Sequence, residues 1–154
     1  MTKQMIFLQN TYSAEYAGRE WPRGQWLTAL RSSRSGQMLL NLTNDLGSVW
    51  NTTPIVGSSA DSKLPPDRDY ARRMVHLAEP ECIVACGQQA IEVIREIWDG
   101  PRLELPHPAC RWLKADLYRE GKRILDLMTR GKMRMKVRVW EEKGQRHKVE
   151  VLGQ

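Results

Sequence analysis

The chain is poor in the residues that would tie it to several large classes of protein. It has three cysteines in 154 residues, too few for the disulfide framework of a small secreted domain, so a reducing, cytoplasmic setting is expected. Three cysteines also fall short of the four thiolates that hold an iron–sulfur cluster. No apolar run approaches the roughly 20 residues needed to cross a bilayer, so no membrane partner is expected. The first residues lead straight into a short apolar stretch without the pattern of a signal peptide. There is no internal repeat, and the length suits a single domain spanning residues 1–154, expected to act as a monomer. Phenylalanine occurs once and histidine three times, so any chemistry that needs imidazole has few places to reside.

Charge of one sign is also scarce in most of the chain. Residues 1–100 hold 10 Lys+Arg and 11 Asp+Glu, whereas residues 101–154 hold 14 and 7. All the positive surplus therefore lies in the last third, and a one-sided basic balance favours a polyanionic partner such as DNA.

The local pattern alternates short apolar strands with helices. Residues 5–8 read as a buried strand followed by a polar loop at 9–13, residues 14–24 as irregular, and residues 25–34 as a helix. Residues 37–42 read as a second strand, with polar residues after it. The Ser, Thr, Gly and Pro of residues 49–66 predict an irregular loop. Asp67 or Asp69 can cap a helix running to about His76. Residues 81–87 predict a third strand ending in a glycine turn, residues 88–98 a helix, residues 103–105 a fourth strand and residues 112–128 an amphipathic helix. From Met133 the chain alternates, with Arg134, Lys136 and Arg138 on one face, a turn expected at residues 142–145 and a return strand at 146–152. The expected fold is α/β: a mostly parallel four-stranded sheet flanked by helices over about residues 5–128, followed by a basic C-terminal β-hairpin over about 133–152.

His107 is the residue most constrained by its neighbours. Pro106 and Pro108 each fix their own φ and restrict the residue before them, which leaves the histidine few backbone options. A rigidly held imidazole can donate one strong hydrogen bond while neutral. Polar residues end two other predicted strands, at residues 9–12 and at Asn41. Neighbouring parallel strands would bring all three sets into one cleft, since ligands of open α/β sheets bind at the carboxyl ends of the strands.

In this ordered set the chain resembles the uracil-DNA glycosylase superfamily. Leu8-Gln9-Asn10-Thr11-Tyr12 resembles the family's first motif and Met38-Leu39-Leu40-Asn41 its base-reading strand. The strand and turn at residues 82–89 resemble the penultimate strand, and His107-Pro108-Ala109 the final motif. Leu8 and Thr11 stand where the family has glycine and proline, and Ala109 and Cys110 where it is rich in serine. The resemblance implies that Asn10 positions the attacking water and that His107 hydrogen-bonds a carbonyl oxygen of the departing pyrimidine. It also implies that Asn41 reads the flipped base, Gln9 contributes a contact and Tyr12 stands at the C5 edge. These residue types suit the reaction, because breaking the N-glycosidic bond places negative charge on the base and positive charge on the sugar. The base must leave the stack to reach them. Arg111 and Trp112 are candidates for insertion or phosphate contact, and Lys114, Arg134, Lys136 and Arg138 for DNA-backbone contact.

The implied activity is a monofunctional DNA glycosylase that needs no cofactor or metal. No lysine lies in the three motif segments, so no Schiff-base lyase step is expected. Uracil or a mismatched pyrimidine is the default substrate, and a bulky modified pyrimidine of phage DNA, such as glucosylated hydroxymethylcytosine, is an alternative seen among relatives in bacterial defence. Two other readings compete. Cys82, Cys86, His107 and Cys110 have the ligand types for zinc, although cysteines on a buried strand usually serve as small apolar residues. A noncatalytic DNA-binding or inhibitory protein on a degenerate glycosylase scaffold would retain the fold without the reaction.

Overall fold

The protein is described by a computed structural model over residues 4–141 and 146–153. Its elements in chain order are β1 (Gln4–Leu8), α1 (Arg23–Ser32), α2 (Arg34–Leu39), a 3-10 turn (Leu46–Ser48), β2 (Val49–Asn51), α3 (Arg68–Ala78), β3 (Cys82–Cys86), α4 (Gln88–Ile97), β4 (Arg102–Leu105), α5 (Ala115–Thr129), β5 (Lys136–Trp140) and β6 (Lys148–Val151). One six-stranded sheet has the order β2-β1-β3-β4-β5-β6, in which every pair is parallel except β5 with β6.

β1 and β3 are near-continuous apolar runs because both of their faces are covered. Side chains alternate across the sheet, so Ile6, Leu8, Cys82, Val84, Cys86, Leu103 and Leu105 pack with residues of α1, α2 and α5. Met5, Phe7, Ile83 and Ala85 face the other way and pack with α3 and α4. Local chemistry sets the helix ends. The Asp67 carboxylate accepts the Tyr70 N–H at the start of α3, and Ser33 accepts from Gly36 at the start of α2.

Three features depart from the sequence expectation. Residues 37–42 are not a strand; they form the end of α2 and the turn after it. A six-residue apolar run is too short for its period to separate helix from strand, and here the Ser33 cap and close packing decide. Gly36 lies so near α1 that an added Cβ would stand 1.7 Å from the Leu30 carbonyl oxygen. The strand missing there is β2, three residues inside the stretch expected to be irregular. The sheet also has six strands rather than four, because β5 pairs with β4 as well as with β6. The expected turn at 142–145 lies outside the described residues.

Buried charge enters the sheet on β4, at Glu104 and Arg102. Arg95 of α4 grips Glu104 through both oxygens at 2.7 Å, and Arg102 Nε donates to Oε2 at 2.8 Å. A carboxylate that is fully buried survives only with such partners, and so does the almost fully buried Arg102. Glu104→Ala is expected to destabilise the fold by about 3 kcal/mol, because it leaves the Arg102 guanidinium buried without its counter-charge. Urea unfolding of the variant should show a lowered midpoint; an unchanged midpoint would contradict this assignment.

Candidate active site

The strand order places a crevice between β1 and β3, where the connection leaving β1 runs to β2 on one side and the connection leaving β3 runs to β4 on the other, at the carboxyl edge of the sheet. A cavity of about 1150 Å³ occupies it. Every parallel strand from β2 to β4 delivers residues into it: Leu8 at the end of β1 with Gln9 and Asn10 after it, Asn51 from β2, Cys86 at the end of β3 with Gly87 after it, and His107 after β4. A second cavity of about 400 Å³ adjoins it and shares Thr11, Trp21, Trp26 and Asn51.

His107 is held from several directions. Tyr118 of α5, fully buried, donates its hydroxyl to the Pro106 carbonyl at 2.7 Å, which anchors the loop one residue upstream. The His107 Nδ1 accepts the Ala109 N–H at 3.0 Å. A backbone N–H can only donate, so Nδ1 carries no proton and the neutral ring bears its hydrogen on Nε2. Gly87, at φ +92°, packs against the ring so closely that a Cβ there would meet His107 Cβ at 3.1 Å. Burial lowers the imidazole pKa from its ordinary 6.5. The start of α4 at Gly87 has no side-chain cap, and this positive helix end also disfavours imidazolium. The site therefore presents a neutral histidine with a single N–H donor.

Asn10 is placed in the cavity, but its amide is engaged. Nδ2 donates to the carbonyls of Thr11 at 3.0 Å and Ser62 at 3.1 Å, and Oδ1 accepts the Leu64 N–H at 3.1 Å. The side chain thus ties the loop at residues 57–66 to the end of β1, and one oxygen lone pair remains for a ligand or water. Gln89 of α4 fastens the same loop by donating to the Leu64 carbonyl at 2.9 Å. Gln9 lines the cavity, and its carbonyl accepts from the Thr52 hydroxyl at 3.0 Å. Tyr12 lines it too but is 53% exposed, which makes it a rim residue.

Asn41 does not reach the cavity. It follows α2, and its Nδ2 donates back to the Met38 carbonyl at 3.2 Å. The residue that ends the strand beside β1 is Asn51, which sequence reading missed. Asn51 lines both cavities, and its Oδ1 is buried with no hydrogen-bond partner among the described residues. An unsatisfied buried carboxamide oxygen costs free energy unless a ligand or water completes it. The signal available in the sequence was Val49-Trp50-Asn51 followed by Thr52 and Thr53, two apolar residues and a polar end.

Indoles wall the smaller cavity. Trp21, Trp26 and Trp50 line it with Tyr70, Glu20 and Arg23. The Arg23 guanidinium lies 3.5 Å from the Trp50 ring centroid and donates to the carbonyls of Gly47 at 2.6 Å and Val49 at 3.1 Å; burial lowers its pKa.

The candidate DNA contacts scatter. Arg111 and Lys114 are exposed and Trp112 half-buried after the His107 loop, but none of the three lines the cavity. Because β5 runs parallel to β4 with Lys136 opposite Arg102, Arg134 and Lys136 lie at the opposite end of the sheet from His107. Lys136 is paired with Asp99 at 2.7 Å, and Arg138 stacks over Trp140 with its Nε 3.9 Å from Glu104. The zinc alternative finds no support in the geometry. The buried thiol of Cys86 is raised to about 12, and no group of three or more potential ligands clusters among the described residues. None of the described helices is long and apolar enough to cross a membrane. Comparison with family models, with curated proteins and with solved structures finds no match to this chain.

The His107 environment has a measurable pH consequence. The folded state holds this imidazole below the 6.5 of an unperturbed histidine, so as pH falls the unfolded chain binds the proton first. Stability is therefore full above about pH 6.5, declines below it, and levels off once the folded state also protonates. NMR titration of the ring should give a midpoint below 6.5 with the neutral form protonated at Nε2, and His107→Gln should remove this component of the acid destabilisation. A midpoint above 6.5 would refute the account.

Proposed function

We propose that the chain is a monofunctional DNA glycosylase: it accepts a flipped pyrimidine nucleotide in the carboxyl-edge cavity and hydrolyses the N-glycosidic bond to leave an abasic site. The observation that carries the reading is the pairing, in one cavity, of a neutral Nε2-protonated His107 with Asn51, whose Oδ1 has no hydrogen-bond partner among the described residues. As the glycosidic bond lengthens, electrons collect on the base, and a fixed N–H donor at a carbonyl oxygen stabilises that charge without first giving up a proton. A carboxamide offers both a donor and an acceptor to the Watson–Crick edge of the base. In this reading Asn51 takes the base-reading role that the resemblance had put on Asn41. Asn10 acts through the loop it holds and through its remaining Oδ1 lone pair, which can orient the attacking water. The water adds to the anomeric carbon, and its proton is lost to solvent or to the departing base.

The substrate class follows from the same walls. Uracil or a mismatched pyrimidine needs only the larger cavity. The adjoining indole-lined cavity supports a bulkier base, and glucosylated hydroxymethylcytosine of phage DNA fits the chemistry of aromatic platforms with Glu20, Arg23 and Thr53 beside them. With Tyr12 at the rim, its ring is no bar to a large C5 group. A cytoplasmic enzyme of DNA repair or antiphage defence, acting as a monomer, belongs to this proposal.

Duplexes containing uracil, thymine opposite guanine, hydroxymethylcytosine or its glucosylated form, scored for alkali-labile abasic sites, test it. One positive duplex is expected. Loss of a single donor to the developing anion costs about 10²- to 10³-fold in rate, so His107→Ala should fall by that much while DNA affinity changes far less. Asn51→Ala should lose excision and Asn41→Ala should keep it. DNA binding without excision from any duplex would favour the noncatalytic scaffold, a reading to which the engaged Asn10 amide lends weight.

A further inference from the structure

Several cations of the basic last third are paired with acids, on α5 and at the start of β5. Lys136 pairs with Asp99, Arg119 with Asp116, Arg123 with Glu120, and Lys122 with Asp126. Two cations that line the large cavity, Arg34 and Lys63, are different. Both are exposed, and neither has an acidic partner among the described residues. They come from opposite layers of the molecule. Arg34 opens α2, whose Leu39 belongs to the α1/α2/α5 side of the core. Lys63 sits on the 57–66 loop, which Gln89 of α4 binds on the other side of the sheet.

Both positions are also held. The residues on either side of Lys63 are fixed by Asn10, through the Ser62 carbonyl and the Leu64 N–H. Arg34 directs one guanidinium nitrogen to the Arg111 carbonyl at 3.3 Å, beside the His107 loop, which leaves its other N–H groups for an anion. A lysine on a secured loop and an arginine anchored by one edge lose less freedom on binding than free surface cations do.

We propose that Arg34 and Lys63 grip the phosphodiesters flanking the nucleotide that enters the cavity, one on each side of its mouth. This rests on the glycosylase reading and deepens it. An extruded nucleotide carries a phosphodiester on its 5′ side and another on its 3′ side. A cavity straddled by one cation from each layer matches that arrangement, whereas the basic residues at the start of β5 lie at the far end of the sheet. Such contacts set position and register and carry no base specificity. The grip also gives the Asn10 clamp a purpose, since it fixes the loop on which Lys63 is presented.

The test is the salt dependence of binding to a fluorescein-labelled duplex carrying a tetrahydrofuran abasic-site analogue, which has no base to release. Each neutralised phosphate contributes a slope of about 0.9 to the fall of log affinity with log salt. Arg34→Gln and Lys63→Gln should each weaken binding and flatten the slope by about 1, and the double variant by about 2. Lys63→Arg should restore the slope, which separates lost charge from a disturbed loop. Arg130→Gln, a change at the exposed end of α5, should leave it unaltered. Slopes unchanged in both single variants, or equally flattened by Arg130→Gln, would overturn the grip, as would a wild-type chain that does not bind the duplex. Excision by the wild type and its loss in His107→Ala are read on base-containing duplexes, so the grip can fail while the glycosylase reading stands, and the reverse.

Discussion

Burial of both faces of the central strands is the constraint from which the rest of the molecule follows. β1 and β3 have no polar face to turn to water, and β4 keeps its charged face buried, so helices must cover the sheet on both sides, and most polar side chains are driven to the strand ends. Parallel strands put all their carboxyl ends at one edge. A cavity bordered by Gln9, Asn10, Asn51 and His107 is therefore a consequence of the packing, since these are the first polar residues after each apolar run. The same constraint makes Glu104 exceptional: it is a charge within the covered region, and two arginines are committed to it.

The second dependence is that of His107 on the residues that hold it. Tyr118 reaches from α5 to the Pro106 carbonyl, and Gly87, without a Cβ, lets its backbone pack close against the ring. The Ala109 N–H decides which ring nitrogen keeps the proton. Burial and the uncapped start of α4 then keep the ring neutral. Each effect alone is modest, about one hydrogen bond or less, yet all act in one direction and fix tautomer, charge and orientation together. A donor prepared in this way need not reorganise as charge develops on a leaving group, and this is where electrostatic catalysis gains most.

Much of this was legible in the sequence, and the failures have definite physical causes. β1, β3, α4, β4 and α5 were readable because their apolar periods are long or their ends are marked by Gly87 or by paired prolines. The proline clamp identified His107 without any structure. Residues 37–42 were misread because Gln-Met-Leu-Leu-Asn-Leu satisfies either period over so short a span, and the deciding contact, Gly36 against the Leu30 carbonyl, is tertiary. That error carried Asn41 into the site and left Asn51 out, since a three-residue strand gives almost no signal of its own. Asn10 lines the cavity, and its engagement with Ser62 and Leu64 depends on a loop 52 and 54 residues away.

Charge was the signal least able to locate residues in the sequence, and the reason is topological. A run of basic residues along a strand suggests a basic surface, but a strand has two ends as well as two faces. Parallel pairing with β4 sends Arg134 and Lys136 to the amino end, away from the cavity. Side-chain alternation also points Lys136 and Arg138 toward the side of the sheet that carries Asp99 and Glu104. The surplus of the last third is thus partly consumed in holding the edge of the sheet together. Arg34 and Lys63, which belong to a stretch with no net positive charge, keep theirs because their nearest anchors are backbone carbonyls and a carboxamide, groups that fix position without cancelling charge. Net charge in a segment records how many ions it carries; whether they remain available to a polyanion depends on which acids the fold brings beside them.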